Sequence, residues 1–160
     1  MKKSVTLSLS VLFLAVAATG AQKQSPASRF SVSGCDAGLW KRVYNPARLH
    51  LLSSCISVTG VVEESVRDDD GDQHFLLKLD KGYKTLVNSR NKKKKRGDLV
   101  VEIVCANPVK LKKVNATCTG FTNPIGLPLV GSHVRVTGSW VIDSHNGWTE
   151  IHPASAIRNI

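Results

Sequence analysis

Apolar and polar residues alternate most regularly between Val130 and Ala154. The apolar side chains of the first half share one parity: Val134, Val136, Trp140 and Ile142. Such a period of two predicts a half-buried β-strand. The segment from Ser144 to Gly147 then contains an Asn-Gly pair, which tolerates the positive φ angles of a tight turn. Because Trp148 to His152 can return antiparallel, the pattern predicts a hairpin, and we expect Pro153 to end its second strand.

Three further strands are predicted upstream of this hairpin. They run from Cys55 to Val66, from Gln73 to Leu79 and from Leu99 to Cys105, and Tyr83 to Val87 is a candidate for a short additional strand. Within the first of them, Gly60 indicates a bulge or a sharp bend. The charged segment Asn91–Gly97 is expected to be a loop. The segment from Ala106 to Pro128 contains three prolines and two glycines, which exclude a long helix there.

Several of these segments resemble the OB-fold. The motifs are VTGVV (Val58–Val62), DLVVEIVC (Asp98–Cys105) and VGSHVRVTGSW (Val130–Trp140). Together with the ending HNGWTEIHP, they are similar to a family of small exported bacterial OB-type proteins of uncharacterised role. The resemblance implies an all-β fold, a five-stranded OB-like Greek-key barrel. It also implies binding of oligonucleotides or oligosaccharides across strands two and three.

The N-terminal residues have the pattern of a secretory signal peptide. Lys2 and Lys3 precede a largely apolar run, which is followed by small residues up to Ala21. Residues 1–21 are therefore expected to be removed on export. The expected location is therefore secreted or periplasmic. After it we expect a flexible lead-in (residues 22–34), an arm that packs on the barrel (residues 35–54), and the barrel itself (residues 55–160). The arm residues expected to be buried are Trp40, Val43, Tyr44, Leu49, Leu51 and Leu52.

The four cysteines are an even number in a chain predicted to reach an oxidising compartment, which favours two disulfides. Three pairings are open, and we favour Cys35–Cys55 with Cys105–Cys118. The second bond would close a loop without clear periodicity, which is worth on the order of 3 kcal/mol. A zinc site is the rival interpretation, but the chain has no CxxC pair.

The formal net charge is +10, and loss of Lys2 and Lys3 would lower it by two. A basic exported domain favours a polyanionic partner such as DNA, RNA or acidic polysaccharide. The candidate binding residues are Lys92, Lys93, Lys94, Lys95, Arg96, Lys112, Lys113 and Arg135. A solvated loop explains the lysine run equally well. The acidic turn from Asp68 to Asp72 would repel phosphate and counts against nucleic acid.

The closing hairpin also carries Asp143, His145, Glu150 and His152, which together suggest a metal or acid–base site. Asp143 and His152 would lie roughly 13 Å apart along the ladder, too far to share an ion. We therefore interpret this group as structural and predict no metal and no cofactor. The chain has no GxSxG motif, so we predict a binding module rather than an enzyme. The alternative is a structural or protein-interaction domain of the cell envelope.

Overall fold

The computed structural model describes residues 26–160, so the predicted signal peptide lies outside the described residues. Five strands form the sheet: β1 (Leu49–Arg67), β2 (Gln73–Leu79), β3 (Leu99–Ile103), β4 (His133–Asp143) and β5 (Thr149–Asn159). The α-helices are short: α1 (Pro26–Phe30), α2 (Ser89–Lys94) and α3 (Asn115–Cys118). Four 3-10 helices complete the described elements: Ala37–Arg42, Pro46–Arg48, Lys81–Leu86 and Lys112–Val114. The prediction of a mainly β protein is confirmed.

The sheet closes on itself in the order β1-β2-β3-β5-β4. The long strand β1 pairs antiparallel with both β2 and β4. Strand β3 pairs antiparallel with β2 and parallel with β5, and β4 and β5 form the antiparallel hairpin. The Asn-Gly turn of this hairpin is confirmed, since Gly147 has a φ of 80°. The parallel contact between β3 and β5 is what assembles the candidate site described below.

The hydrophobic core lies inside the closed sheet and is built by the alternation seen in the sequence. On β2, Phe75, Leu77 and Leu79 are buried in this core, as their parity predicts, while Lys78 is exposed. Gly138 allows β4 to approach β5, because a Cβ there would lie 2.6 Å from the carbonyl oxygen of Pro153. A side chain at this position would therefore push the two strands apart.

The N-terminal arm packs on the outside of the sheet, as expected, and Val43 and Leu49 are buried there as predicted. Leu39 is buried as well, and these side chains cluster with Val104 and Val141. Trp40 packs only partly against this cluster, and Tyr44 is exposed. Tyr44 lies beyond the end of the 3-10 helix Ala37–Arg42, and Leu51 and Leu52, also expected to be buried, are exposed on β1.

Two boundaries of the predicted organisation change. Strand β1 begins at Leu49, so the last residues of the predicted arm belong to the sheet, where Leu49 pairs with Asp143. The expected flexible lead-in contains α1, and Phe30 packs against Tyr83 with ring centroids 5.0 Å apart. In both cases, tertiary contacts order a segment that lacks a strong local pattern.

Three local predictions are wrong. The segment proposed as a short strand at Tyr83–Val87 is largely the 3-10 helix Lys81–Leu86, and the charged segment Asn91–Gly97 begins within α2. The side chain of Asn88 caps α2, and the lysines that follow are good helix formers. Pro153 does not end β5. It lies at a register shift opposite β4, where a missing N–H costs no ladder bond.

Both predicted disulfides are confirmed: Cys35 is bonded to Cys55, and Cys105 is bonded to Cys118. Two disulfides are consistent with an oxidising compartment. Among the described residues, no helix is long and apolar enough to cross a membrane.

Candidate functional site

A row of ionisable side chains crosses the outer face of β2, β3 and β5. His74 of β2 pairs in register with Glu102 of β3. Since Val100 is opposite Glu150 in the parallel β3–β5 ladder, Glu102 lies beside His152. The alternate residues of these strands, among them Val101 and Ile151, fill the core on the other face. The sheet topology therefore brings together residues that are far apart in the sequence.

His152 is held by a chain of contacts within β5 and the turn before it. Its Nδ1 lies 3.0 Å from Oε1 of Glu150, and both side chains are almost completely buried. The other carboxylate oxygen of Glu150 accepts a hydrogen bond of 2.8 Å from the indole N–H of Trp148. The ammonium of Lys95 lies 4.3 Å from the centre of the Trp148 ring. This chain of contacts leads from the basic segment at the surface to the buried histidine.

Asp72 faces the same histidine from the end of the acidic turn. It is buried, and its Oδ1 accepts a 2.7 Å hydrogen bond from the backbone N–H of Cys105. One ligand atom from each of Asp72, Glu102 and His152 lies within 4.8 Å of the others. The Nε2 atom of His152 is buried and has no hydrogen-bond partner. We refer to Asp72, Glu102, Glu150 and His152 as the buried acid–histidine cluster.

Burial and the repulsion of nearby carboxylates raise the pKa values of two carboxyl groups in this cluster, those of Asp72 and Glu102. For Asp72, loss of hydration and the charge of Asp70 raise the pKa to about 7. For Glu102, loss of hydration raises the pKa to about 8 against the opposing charge of His152. Burial opposes the charge on His152, but the hydrogen bond to Glu150 and the nearby carboxylates outweigh it and raise its pKa. The cluster therefore retains protons at neutral pH.

His74 begins a second, more exposed group at the same end of the face. Its Nδ1 lies 2.7 Å from Oδ2 of Asp68, and this hydrogen bond raises the pKa of His74. Asp68, His74 and Glu102 also have ligand atoms within 4.8 Å of one another. Glu102 is thus shared by two triads, of which only the one with His152 is mostly buried.

The basic segment lies on and after α2, beside the turn between β4 and β5. Lys92, Lys93 and Lys94 are exposed, whereas Lys95 covers Trp148. Arg96 is engaged with two acids, at 3.2 Å from Glu64 and 3.8 Å from Asp98. Four of the five predicted cations are therefore lysines on one short helix and its cap, and three of them face solvent.

The other predicted binding residues lie elsewhere. Lys112 and Lys113 occupy the short helix Lys112–Val114, and Lys113 approaches the ring of Tyr44 at 5.8 Å. Arg135 lies on β4 directly opposite Arg158 of β5. Among the contacts of residues 26–160, none joins these residues to α2, so the structure does not bring the predicted set into one group.

The hairpin group weighed from the sequence separates into two parts. Asp143 is structural: its carboxylate accepts backbone N–H bonds from His145 and Asn146, and it lies 3.6 Å from Arg48. His145 is exposed. Glu150 and His152 instead join the buried acid–histidine cluster. Sequence reasoning missed Asp72 and Glu102, although Glu102 gave a signal as the one charged residue in an apolar strand.

No family model matches the sequence, and no curated protein matches it. The functional proposals below therefore depend on the exposed lysines of α2 and on the buried acid–histidine cluster.

Proposed function

We propose that the protein is an exported, non-catalytic binding module that contacts a polyanion, such as a nucleic acid or an acidic polysaccharide, through α2. The observation that carries the proposal is the fixed presentation of Lys92, Lys93 and Lys94 to solvent on a helix anchored to the sheet. Clustered cations displace the counterions of a polyanion, which gives salt-sensitive affinity without sequence preference.

The anchoring of α2 is unusually complete for a helix of six residues. Asn91 is fully buried, and its amide group donates to the carbonyls of Asp98 and Thr149 and accepts from the backbone N–H of Thr149. The guanidinium of Arg90 donates to the carbonyl of Asn146. Because the helix is held in place, the lysines lose little backbone freedom on binding, which favours affinity.

The charges around α2 also suit an anion. Within the described residues, Lys92, Lys93 and Lys94 form no ion pair, whereas Arg96 does. The acidic turn repels phosphate less than its sequence suggests, because Asp68 is paired with His74 and Asp69 lies 3.2 Å from Lys110. The charges of Lys92, Lys93 and Lys94 are therefore not neutralised by an ion pair with any described residue.

The closed strand order, with β3 parallel to β5, supports assigning the sheet to an OB-like Greek-key barrel. Barrels of this type bind their ligands across strands two and three and the loops beside them. Helix α2 follows β2 and leads into β3, so the lysines border the equivalent face. The two disulfides support export, and the predicted signal peptide would direct it.

Binding to heparin and to single-stranded DNA across a salt series tests this function. We expect the double variant K92A/K93A to elute from heparin at lower salt. The dependence of its DNA affinity on salt concentration should correspond to the release of between one and two fewer counterions. The control K81A/K84A removes two exposed lysines from another helix and should behave like wild type. Equal losses in both variants would indicate a general charge effect, and unchanged elution of K92A/K93A would refute the proposal.

A second candidate function, a protein-interaction domain of the envelope, is favoured by one apolar patch. Leu127, Leu129 and Val130 are exposed, with Leu129 77% accessible. An exposed apolar stretch of this kind is typical of a protein contact. Crosslinking from position 127 should then capture one discrete protein in high salt, and L129S should abolish that capture. Loss of the crosslinked protein in high salt would favour the polyanion instead.

A further inference from the structure

We propose that Asp72, Glu102 and His152 bind one divalent transition-metal ion, with Zn²⁺ as the best fit. This site lies beneath the outer face of β2, β3 and β5 and goes beyond the polyanion-binding function. It depends on the strand pairing and side-chain geometry of the described residues, not on the lysines of α2.

The three residues are spaced closely enough to share an ion. One oxygen of Asp72, one oxygen of Glu102 and one nitrogen of His152 lie within 4.8 Å of one another. Zinc binds oxygen and nitrogen ligands at about 2.0–2.2 Å, so the ligand atoms of a tetrahedral site are separated by about 3.4 Å. Binding therefore requires the three ligand atoms to move closer together than their present limit of 4.8 Å. Glu102, the half-buried member, has the most freedom to move.

The orientation of His152 is an independent indication of a ligand. Its Nδ1 is engaged by Glu150, and Glu150 is fixed in turn by the indole N–H of Trp148. A carboxylate on Nδ1 selects the tautomer whose Nε2 lone pair is free, and metal-binding histidines characteristically have such a partner. Nε2 is buried and unpartnered, although an unpaired buried polar atom is destabilising. A bound metal would satisfy it.

The register of the sheet favours an orientation of Nε2 toward Asp72. Glu150 precedes His152 by two residues on β5, while Asp72 lies beyond the opposite side of the Glu102–His152 row, just before β2. Because the two ring nitrogens point in different directions, engagement of Nδ1 by Glu150 turns Nε2 toward Asp72. The imidazole of His152 would thus contact Glu150 through Nδ1 and share the metal ion with Asp72 and Glu102 through Nε2.

The charge of the cluster also calls for a cation. Three carboxyl groups, those of Asp72, Glu102 and Glu150, surround a single imidazole, and Asp72 and Glu150 are almost inaccessible to water. Buried carboxylates are stable only when they are paired, protonated or bound to a metal. A divalent ion would allow all three to ionise together.

The donor set selects the class of metal. One imidazole nitrogen with two carboxylates suits zinc and its transition-metal neighbours, whereas magnesium and calcium prefer oxygen donors alone. Three protein ligands leave a fourth position for water or for an oxygen of a bound ligand.

Two other groupings are weaker. Asp72 also lies near Cys105 and Cys118, but these sulfurs are joined in a disulfide and cannot act as thiolates. The triad of Asp68, His74 and Glu102 shares one ligand with the proposed site, but the Nδ1 of His74 is already engaged by Asp68. Because Glu102 belongs to both groups and Asp72 to the proposed site and not to the His74 triad, variants of Asp72 distinguish the two sites.

Zinc binding by untagged protein, freed of metal with a chelator, tests the proposal. After dialysis against Zn²⁺, we expect one zinc per chain by elemental analysis, and Co²⁺ should produce a visible absorption band. The isosteric variants D72N and E102Q should each weaken zinc at least tenfold in chelator competition. H145A, which removes an exposed histidine of the same hairpin, should bind zinc as wild type does.

The absence of stoichiometric zinc in the wild type would overturn the proposal. Unchanged affinity in D72N would overturn it as well, and a loss in H74A without a loss in D72N would transfer the ion to the other triad. Circular dichroism and free-thiol titration of each variant establish that the fold and both disulfides persist. If D72N fails this check, the half-buried E102Q is compared with H74A. Weaker zinc binding in E102Q but not in H74A supports the proposed site, whereas weaker binding in both variants supports the His74 triad.

Discussion

Glu150 and His152 lie two residues apart on β5, with Nδ1 of His152 3.0 Å from Oε1 of Glu150 and both side chains buried. This pair occupies Nδ1, while Nε2 of the histidine is buried and has no hydrogen-bond partner. We infer that the parallel β3–β5 pairing places Glu102, together with Asp72, where Nε2 can share a metal ion with them.

Replacing Trp148 with phenylalanine tests the orienting role of Glu150. W148F keeps an aromatic ring for Lys95 but removes the N–H that binds Glu150. Because the outer partners of metal ligands typically contribute 10–100-fold to metal affinity, we expect zinc to bind about tenfold more weakly. W40F is a matched control, since it removes an indole N–H that donates to Ser139. Equal zinc affinities in the two variants would deny Glu150 an orienting role.

Truncating Asn91 should release α2 from the sheet. N91A leaves the buried backbone N–H of Thr149 without its amide acceptor and the carbonyls of Asp98 and Thr149 without the Asn91 donor, and a buried loss of this kind costs about 1–3 kcal/mol. We expect a lower midpoint in urea and weaker heparin binding, even though every lysine remains. S89A changes an exposed residue of the same helix and should do neither. Wild-type heparin binding by a folded N91A protein would show that anchoring is unimportant.

Gly138 is predicted to be intolerant of any side chain. In G138A, the added methyl group would meet the side chain of Ile151 and lie 2.9 Å from Cα of Ala154. Overpacking of this kind costs roughly 1–3 kcal/mol, which chemical denaturation would measure. At Gly82, no atom lies within 4 Å of the position that a Cβ would take, so G82A should be nearly neutral. Similar stability in the two variants would contradict the close approach of β4 and β5.

The stability of the metal-free protein should fall as the pH rises from about 5 to 8. Asp72 and Glu102 have folded pKa values of about 7 and about 8, well above their ordinary values of 3.8 and 4.5. The folded protein therefore retains protons that the unfolded chain has released. The raised pKa of His152 acts in the same direction. For each pH unit over which the folded protein holds one proton more than the unfolded chain, the free energy of unfolding falls by about 1.4 kcal/mol.

Urea unfolding at a series of pH values measures this effect. The D72N variant, which cannot ionise at that position, should show a shallower decline than the wild type. Since His74 and Glu150 lie in the same network, the comparison with D72N is more informative than the absolute slope. A free energy of unfolding that is constant or rises between pH 5 and 8 in the wild type would contradict the protonation described here.

The sequence predicts local features well where one physical rule dominates. Strict alternation locates β2 from Gln73 to Leu79 and identifies its buried face. Cysteine spacing supports both disulfides. The helix at Ser89–Lys94 is missed from the sequence because it is stabilised by a cap from Asn88, which lies outside the charged segment Asn91–Gly97.

The cluster could not be predicted because it depends on contacts between distant strands. Neither alternation nor turn residues specify that β3 lies parallel to β5, and only that pairing brings Glu102 to His152. Asp72 appeared to be one of several acids in a hydrated turn, yet its carboxylate is buried against the backbone of Cys105. A lone glutamate in an apolar strand was the one local indication of the site.

An anomalous difference map, recorded at the zinc edge from crystals grown with Zn²⁺, tests the central claim most directly. The account predicts a single strong peak about 2 Å from Nε2 of His152 and within coordinating distance of the carboxylates of Asp72 and Glu102. No peak at that position, or a zinc ion bound only between Asp68 and His74, would contradict it.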